Sequence, residues 1–152
     1  MLFRSIASVN PAPCTEEVRT WPLQLCDLIL VNEIEAAQLT GMSEDGDFRR
    51  MAEAMAERCP DSEVVITLGS RGALCRSGKE EIFVPARPVK VVDTTSAGDT
   101  FTGYFLAAKL RGMDTEAAMR CAVFASSITV SRPGAASSIP AADEVFQKFD
   151  FS

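Results

Sequence analysis

Two aspartates frame the stretch best suited to chemistry, Asp93-Thr94-Thr95-Ser96-Ala97-Gly98-Asp99-Thr100-Phe101. Ser96, Ala97 and Gly98 are small, and they leave the backbone open where a helix begins. The first N–H groups of a helix have no internal partner, and the macrodipole adds roughly half a positive charge there. A phosphate or a developing anion fits such a place. Asp99 falls within the same first turn, where a carboxylate could deprotonate a hydroxyl while a phosphoryl group is accepted. The same spacing also describes a turn followed by a helix cap, and both readings stand at this point. Asn32 and Glu35 are three residues apart after an apolar run. On their own they read as a capping pair. Thr67-Leu68-Gly69-Ser70-Arg71-Gly72 reads as a strand-end turn.

The elements that must hold these residues alternate in type. Ser5-Ile6-Ala7-Ser8-Val9 reads as a short strand ended by Asn10-Pro11-Ala12-Pro13. Thr15 followed by Glu16 and Glu17 starts a helix with acids in its first turn, and Trp21-Pro22 stops or kinks it. Leu28-Ile29-Leu30-Val31 is a buried strand. Asn32 opens a helix that ends near Gly41, a good residue just past a helix C-terminus. Phe48, Met51, Ala52, Met55 and Cys59 form one apolar helix face, broken by Pro60-Asp61. Val64-Val65-Ile66-Thr67-Leu68 is a strand. Ala73-Leu74-Cys75 and Ile82-Phe83-Val84 form a hairpin around Ser77-Gly78. Val89-Lys90-Val91-Val92 alternates and leads into Asp93. A helix from about Asp99 to Leu110 is closed by Gly112. Asp114 caps the next one, which reaches about Val130. Arg132-Pro133-Gly134 is a loop, and Pro140 opens a last helix carrying Val145, Phe146 and Phe149. Apolar strands alternating with helices imply an α/β fold: three layers, with a mostly parallel sheet covered on both faces. Ligands of such sheets sit beyond the carboxyl ends of the strands. Asn32, Gly69 and residues 93–99 all fall at that edge.

Composition narrows the function. The chain has 152 residues, 47% hydrophobic and 24% charged, which suits one globular domain over residues 1–152. Its net charge of −6 argues against a nucleic-acid or anionic-membrane surface. No apolar run approaches the roughly 20 residues of a membrane helix, and no signal peptide is read at Met1. The chain has no histidine, which removes a His-based triad, a His₂ zinc site and any imidazole base. Cys14, Cys26, Cys59, Cys75 and Cys121 are scattered and read as small buried apolar side chains in a reducing, cytoplasmic compartment.

The 93–101 stretch resembles the C-terminal signature of the ribokinase-like (PfkB) carbohydrate kinases. Other segments agree in order and spacing: Val9-Asn10-Pro11-Ala12-Pro13, Val31-Asn32-Glu33-Ile34-Glu35-Ala36 with Leu39-Thr40-Gly41, and Ile66-Thr67-Leu68-Gly69-Ser70-Arg71-Gly72. So does Ile128-Thr129-Val130-Ser131-Arg132-Pro133-Gly134-Ala135, followed by Ser138-Ile139-Pro140. The resemblance covers nearly the whole chain. It implies a ribokinase-like fold and ATP-dependent phosphoryl transfer to a sugar hydroxymethyl group. Asp99 would be the base, and Ser96, Ala97 and Gly98 the anion hole for the γ-phosphoryl group. Many members have Gly or Ala where Ser96 stands; serine keeps the backbone N–H. Asn32 and Glu35 match the family pattern that organises Mg²⁺ and phosphate, with Glu35 acting through water. Thr67, Gly69, Ser70 and Gly72 would lie against the ATP phosphates and ribose, and Val123, Ser126 and Ser127 would border the adenine. Asp93 and Thr95, carbonyls near Thr129, Arg132 and Gly134, and the Ser138 hydroxyl match a monovalent-cation (K⁺) site. Arg71 and Arg132 are further phosphate contacts or solvated surface arginines.

The same resemblance implies a missing N-terminal half, which in the family carries most sugar contacts and a small β lid. This chain would be the C-terminal, nucleotide-binding half. A sheet cut before its first strand exposes an apolar edge, so the reading expects a homo-oligomer or other association there. A non-catalytic ATP-binding or structural remnant is one alternative. A relative acting on a vitamin or nucleoside hydroxymethyl is another, although the matched segments lean towards ribokinase. The partners expected are ATP and a small sugar or sugar-like alcohol.

Overall fold

The computed structural model describes residues 6–12 and 14–149. Ser5 of the first expected strand and Pro13 of the following segment lie outside them. The chain runs β1 (Ser8–Val9), 3₁₀ turns at Glu16–Thr20 and Leu23–Leu25, β2 (Leu28–Asn32), α1 (Glu33–Thr40), α2 (Phe48–Arg58) and β3 (Glu63–Thr67). A 3₁₀ turn at Gly69–Arg71 leads to β4 (Gly72–Ser77) and β5 (Glu80–Pro85). Then come α3 (Ala97–Leu110), α4 (Thr115–Val130), a 3₁₀ turn at Ala136–Ser138 and α5 (Ala142–Phe146).

The sheet order is β1-β2-β3-β4-β5. β1, β2 and β3 are parallel, with Leu28 opposite Glu63 and Asn32 opposite Thr67. The links after β3 and β4 are too short for the crossover that a parallel pair needs, so β4 and β5 return as an antiparallel hairpin. The fold is α/β, with a mixed sheet. The chain divides into two compact units, Met1–Gly69 with Leu74–Phe83, and Ser70–Ala73 with Val84–Ser152.

In the first unit, Ile29, Val31, Val64 and Ile66 point to one side of the sheet. They pack with Ala36, Ala37, Met51, Met55 and Leu74. The other side of the same strands, Leu28, Leu30 and Val65, is buried as well. This explains why the strands read as continuous apolar runs rather than alternating ones. α2 lays its expected face, Met51, Ala52, Met55 and Ala56, into this core. Phe48 stacks on Phe83 at 6.5 Å, and the Arg49 guanidinium covers both rings while pairing with Glu81. Glu16–Thr20 forms only a 3₁₀ turn, and Thr15 makes no side-chain cap there.

In the second unit α3 and α4 pack along their length. Phe105, Ala108, Ala118, Met119, Cys121 and Ala125 are buried between and around them. Asp114 Oδ1 caps α4 by accepting from Ala117 N at 2.8 Å, and Gly112 turns the preceding loop with φ +83°. Two expectations are corrected here. Residues 89–92 form no strand: Val89, Val91 and Val92 are exposed, and the N–H groups of Val92 and Asp93 donate to the Val130 carbonyl at the end of α4. Alternation alone makes no strand without a neighbouring ladder. Pro140 does not open α5. It precedes the N-cap Ala141, and its carbonyl accepts from the Tyr104 hydroxyl at 2.6 Å.

Candidate active site

The polar residues at the carboxyl edge of the first unit are placed by β2, α1 and β3. Asn32 ends β2 and caps α1. Its Oδ1 accepts from Glu35 N at 2.8 Å, and Glu35 Oε2 accepts from Asn32 N at 2.9 Å, a complete capping box. Glu35 is buried, so its backbone and carboxylate are both fixed. Thr67 stands opposite Asn32 in register, and its hydroxyl donates to the Val31 carbonyl at 3.4 Å. Gly69 follows with φ +54°. Half-buried Cys14 lies near this corner; burial, then the Glu35 charge, pushes its thiol up.

Gly72 belongs to the second unit, as does Ser70, which is exposed on the 3₁₀ turn. Gly72 has φ +114°, and an added Cβ there would stand 2.1 Å from the Val84 carbonyl oxygen. Only glycine lets the hairpin strands come this close.

Residues 96–99 lie at the start of α3. Ser96 is the N-cap and makes no side-chain cap bond. Ala97 N donates to the Thr94 carbonyl at 3.2 Å, so that N–H closes a turn. Gly98 and Asp99 occupy first-turn positions that no helical carbonyl reaches. Both are exposed, and Asp99 is the acidic residue of the turn. Ser126 on α4 donates to the Ala97 carbonyl at 3.1 Å. The Ser127 hydroxyl is turned back on the Phe124 carbonyl at 2.6 Å, and Val123 is buried.

Asp93, Thr95 and Gly134 come together. Asp93 Oδ1 accepts from the Thr95 hydroxyl at 2.5 Å and from Thr95 N at 2.9 Å, and Oδ2 accepts from Gly134 N at 3.2 Å. These donors, the Thr95 hydroxyl foremost, hold the Asp93 carboxyl below the usual carboxylate range. Three of roughly four lone-pair positions are used, which leaves room for one more donor or a cation. The Thr129 carbonyl accepts from Arg132 N at 3.1 Å, and the Ser138 hydroxyl donates to the Ala135 carbonyl at 2.6 Å. The Arg132 guanidinium pairs with both carboxylate oxygens of Glu144, which holds that carboxyl below its usual range. No cluster of three His, Cys, Asp or Glu side chains occurs among the described residues. No described helix is long and apolar enough to cross a membrane.

Reasoning from single residues missed the hydroxyls between α3 and α4. Thr100 Oγ1 and Thr129 Oγ1 are buried and 3.0 Å apart. Their only sequence signal is a hydroxyl within an otherwise apolar helix face.

Comparison with known proteins agrees with this architecture. Residues 6–142 match the model of the pfkB family carbohydrate kinases. The chain belongs to that family. Among its relatives, a deoxyribokinase from Salmonella typhi is 35% identical over 138 residues, 90% of this chain and 45% of its own. A ribokinase structure from Thermotoga maritima superposes with a TM-score of 0.82 at 35% identity, over 95% of this chain and 49% of that one. The Arabidopsis thaliana ribokinase complexed with ribose and ATP gives 0.75 at 35% identity, over 84% and 43%. The fold is therefore ribokinase-like, and the chain spans about half the length of the curated relatives it matches.

Proposed function

We propose that this chain is the nucleotide-binding, base-bearing half of an ATP-dependent sugar kinase of the ribokinase type. The observation that carries the proposal is the start of α3: an exposed Asp99 carboxylate beside first-turn N–H groups that no helical carbonyl reaches. In this reading Asp99 takes the proton of a sugar hydroxymethyl group. The alkoxide oxygen bonds to the γ-phosphorus, the bond from that phosphorus to the β,γ-bridging oxygen breaks, and ADP leaves. The anion hole expected at Ser96, Ala97 and Gly98 is centred in this reading on the Gly98 N–H, with the Asp99 N–H beside it, because the Ala97 N–H donates to the Thr94 carbonyl and, with Ser96, shapes the turn.

Thr67, Gly69, Ser70 and Gly72 are proposed to lie along the ATP phosphates and ribose. Val123, Ser126 and Ser127 are proposed to border the adenine, by packing, since both serine hydroxyls are committed to backbone carbonyls. Mg²⁺ carried with the phosphates would supply charge neutralisation when bound. Glu35 suits a cation held through water, by the carboxylate oxygen that remains after the capping box, and the remaining Asn32 Nδ2 is a donor that suits a phosphate oxygen. Asp93, Thr95, Gly134 and the carbonyls of Thr129 and Arg132, with Ser138, are proposed as the K⁺ site. The anionic, nearly saturated Asp93 carboxylate supports that reading. A pentose acceptor is favoured by the ribokinase and deoxyribokinase relatives. A second reading, ATP binding without turnover, rests on the chain's half-length match to them.

The test is turnover with ATP and Mg²⁺ over a panel of pentoses, hexoses and nucleosides, using the protein as its gene encodes it. Asp99→Ala should lower turnover by at least about a hundredfold while ATP affinity stays. Retained turnover in that variant refutes the assignment. ATP binding with no turnover of the unaltered protein on any acceptor favours the second reading.

A further inference from the structure

We infer that Ser126 and the Thr100–Thr129 hydroxyl pair are positioning residues for the first turn of α3, and through it for Asp99; this rests on the functional reading above. Ala97 and Thr100 are three residues apart and share one face of α3. Ser126 and Thr129 are three apart on α4 and share a face in the same way. The two faces meet hydroxyl to backbone and hydroxyl to hydroxyl: Ser126 Oγ to the Ala97 carbonyl at 3.1 Å, and Thr100 Oγ1 to Thr129 Oγ1 at 3.0 Å. Gly98 and Asp99 lie between these two fastenings, on the exposed side of the turn.

Within its own backbone this first turn is held by two bonds, Ala97 N to the Thr94 carbonyl and Thr100 N to the Ser96 carbonyl. The Gly98 and Asp99 N–H groups make no helical bonds, and Ser96 adds no side-chain cap. The two fastenings fix that turn at both of its ends. Thr100 and Thr129 are 2% and 0% exposed, so water cannot substitute for the bond. Two small-to-medium apolar side chains would pack these positions as well. The pair of hydroxyls adds direction: their bond ties the Thr100 side chain to α4, and so ties the end of the turn that carries Asp99 to that helix. Misplacement of a base by about 1 Å can cost on the order of a hundredfold in rate.

The experiment compares kcat and KM for ATP in four variants of the protein as its gene encodes it. Thr100→Val with Thr129→Val removes both hydroxyls at nearly constant shape, so no buried group is orphaned and the protein should stay folded. Thr100→Ser keeps the bond, Ser126→Ala removes the other fastening, and Asp99→Ala is the reference. The inference expects the double variant to lose at least about tenfold in kcat, with KM for ATP within about twofold and a melting temperature near the original. Ser126→Ala should lose less, and Thr100→Ser should keep nearly full kcat. A merely structural pair would move the melting temperature and leave kcat alone. Full kcat in the double variant, beside an inactive Asp99→Ala, overturns this inference and spares the functional reading. Full kcat in Asp99→Ala, or no turnover in the unaltered protein, overturns both.

Discussion

Gly72→Ala tests the packing of the hairpin. The native φ of +114° is unfavourable for any residue with a Cβ and costs about 1–3 kcal/mol by itself. The new Cβ would also stand 2.1 Å from the Val84 oxygen, 2.7 Å from Ala86 N and 2.8 Å from the Pro85 carbonyl carbon. All three are backbone atoms, so no side chain can swing away. Relief requires the strands to part by roughly an ångström to regain ordinary contact distance. That movement strains the Ala86 N to Arg71 O bond, already 3.3 Å, whose loss adds about 1 kcal/mol. The sum is about 3 kcal/mol or more, which for a chain of this size lowers the melting temperature by roughly 6–12 °C. Gly78→Ala is the control. It has φ +56° but nothing within 4 Å of the added Cβ, so it carries the conformational cost alone. Thermal unfolding followed by circular dichroism compares the two. Equal losses in Gly72→Ala and Gly78→Ala would show that the strand approach is not tight and would refute this reasoning.

Asn32→Ala removes one arm of the α1 capping box and should cost about 1 kcal/mol, read as a lower urea midpoint with unchanged slope; an unchanged midpoint would mean the box contributes nothing. Cys121 is fully buried, and burial pushes its thiol up to about 11. It should resist thiol reagents at pH 8 until the protein unfolds. Because the unfolded thiol ionises from near 9.0, its share of stability is complete below that pH and is lost as pH rises towards 11. Urea midpoints at pH 8 and pH 10 should fall less steeply in Cys121→Ala, and an identical slope would remove Cys121 as a cause.

What could be read from the sequence was local. The apolar run before Asn32, the Asn32–Glu35 spacing and Gly41 at φ +71° fix β2 and α1 within a few residues of each other. The α2 face was legible because it repeats every turn along one element. Asp99 could be placed in the first turn of α3 because the small residues Ser96, Ala97 and Gly98 just before it mark a helix start. The remainder depends on partners distant in the chain. Arg132 looks like a free cation until Glu144 folds back onto it. The bond from the Ser126 hydroxyl to the Ala97 carbonyl joins residues 29 positions apart, which no local pattern shows. The alternation at residues 89–92 is real, but Val92 bonds to the end of a helix. Pro140 suits a helix start by type, and the Tyr104 hydroxyl claims its carbonyl instead.

The strand order β1-β2-β3-β4-β5 has a consequence for synthesis. Each strand pairs with the one made just before it, so the sheet can grow in the order the ribosome delivers it. Among the described strands, none of β2 to β5 waits for a partner still untranslated. Chains whose pairings follow sequence order close shorter loops and fold faster than those that must reach across. The nascent first unit can therefore bury β2 and β3 against α1 and α2 before α3 has been translated.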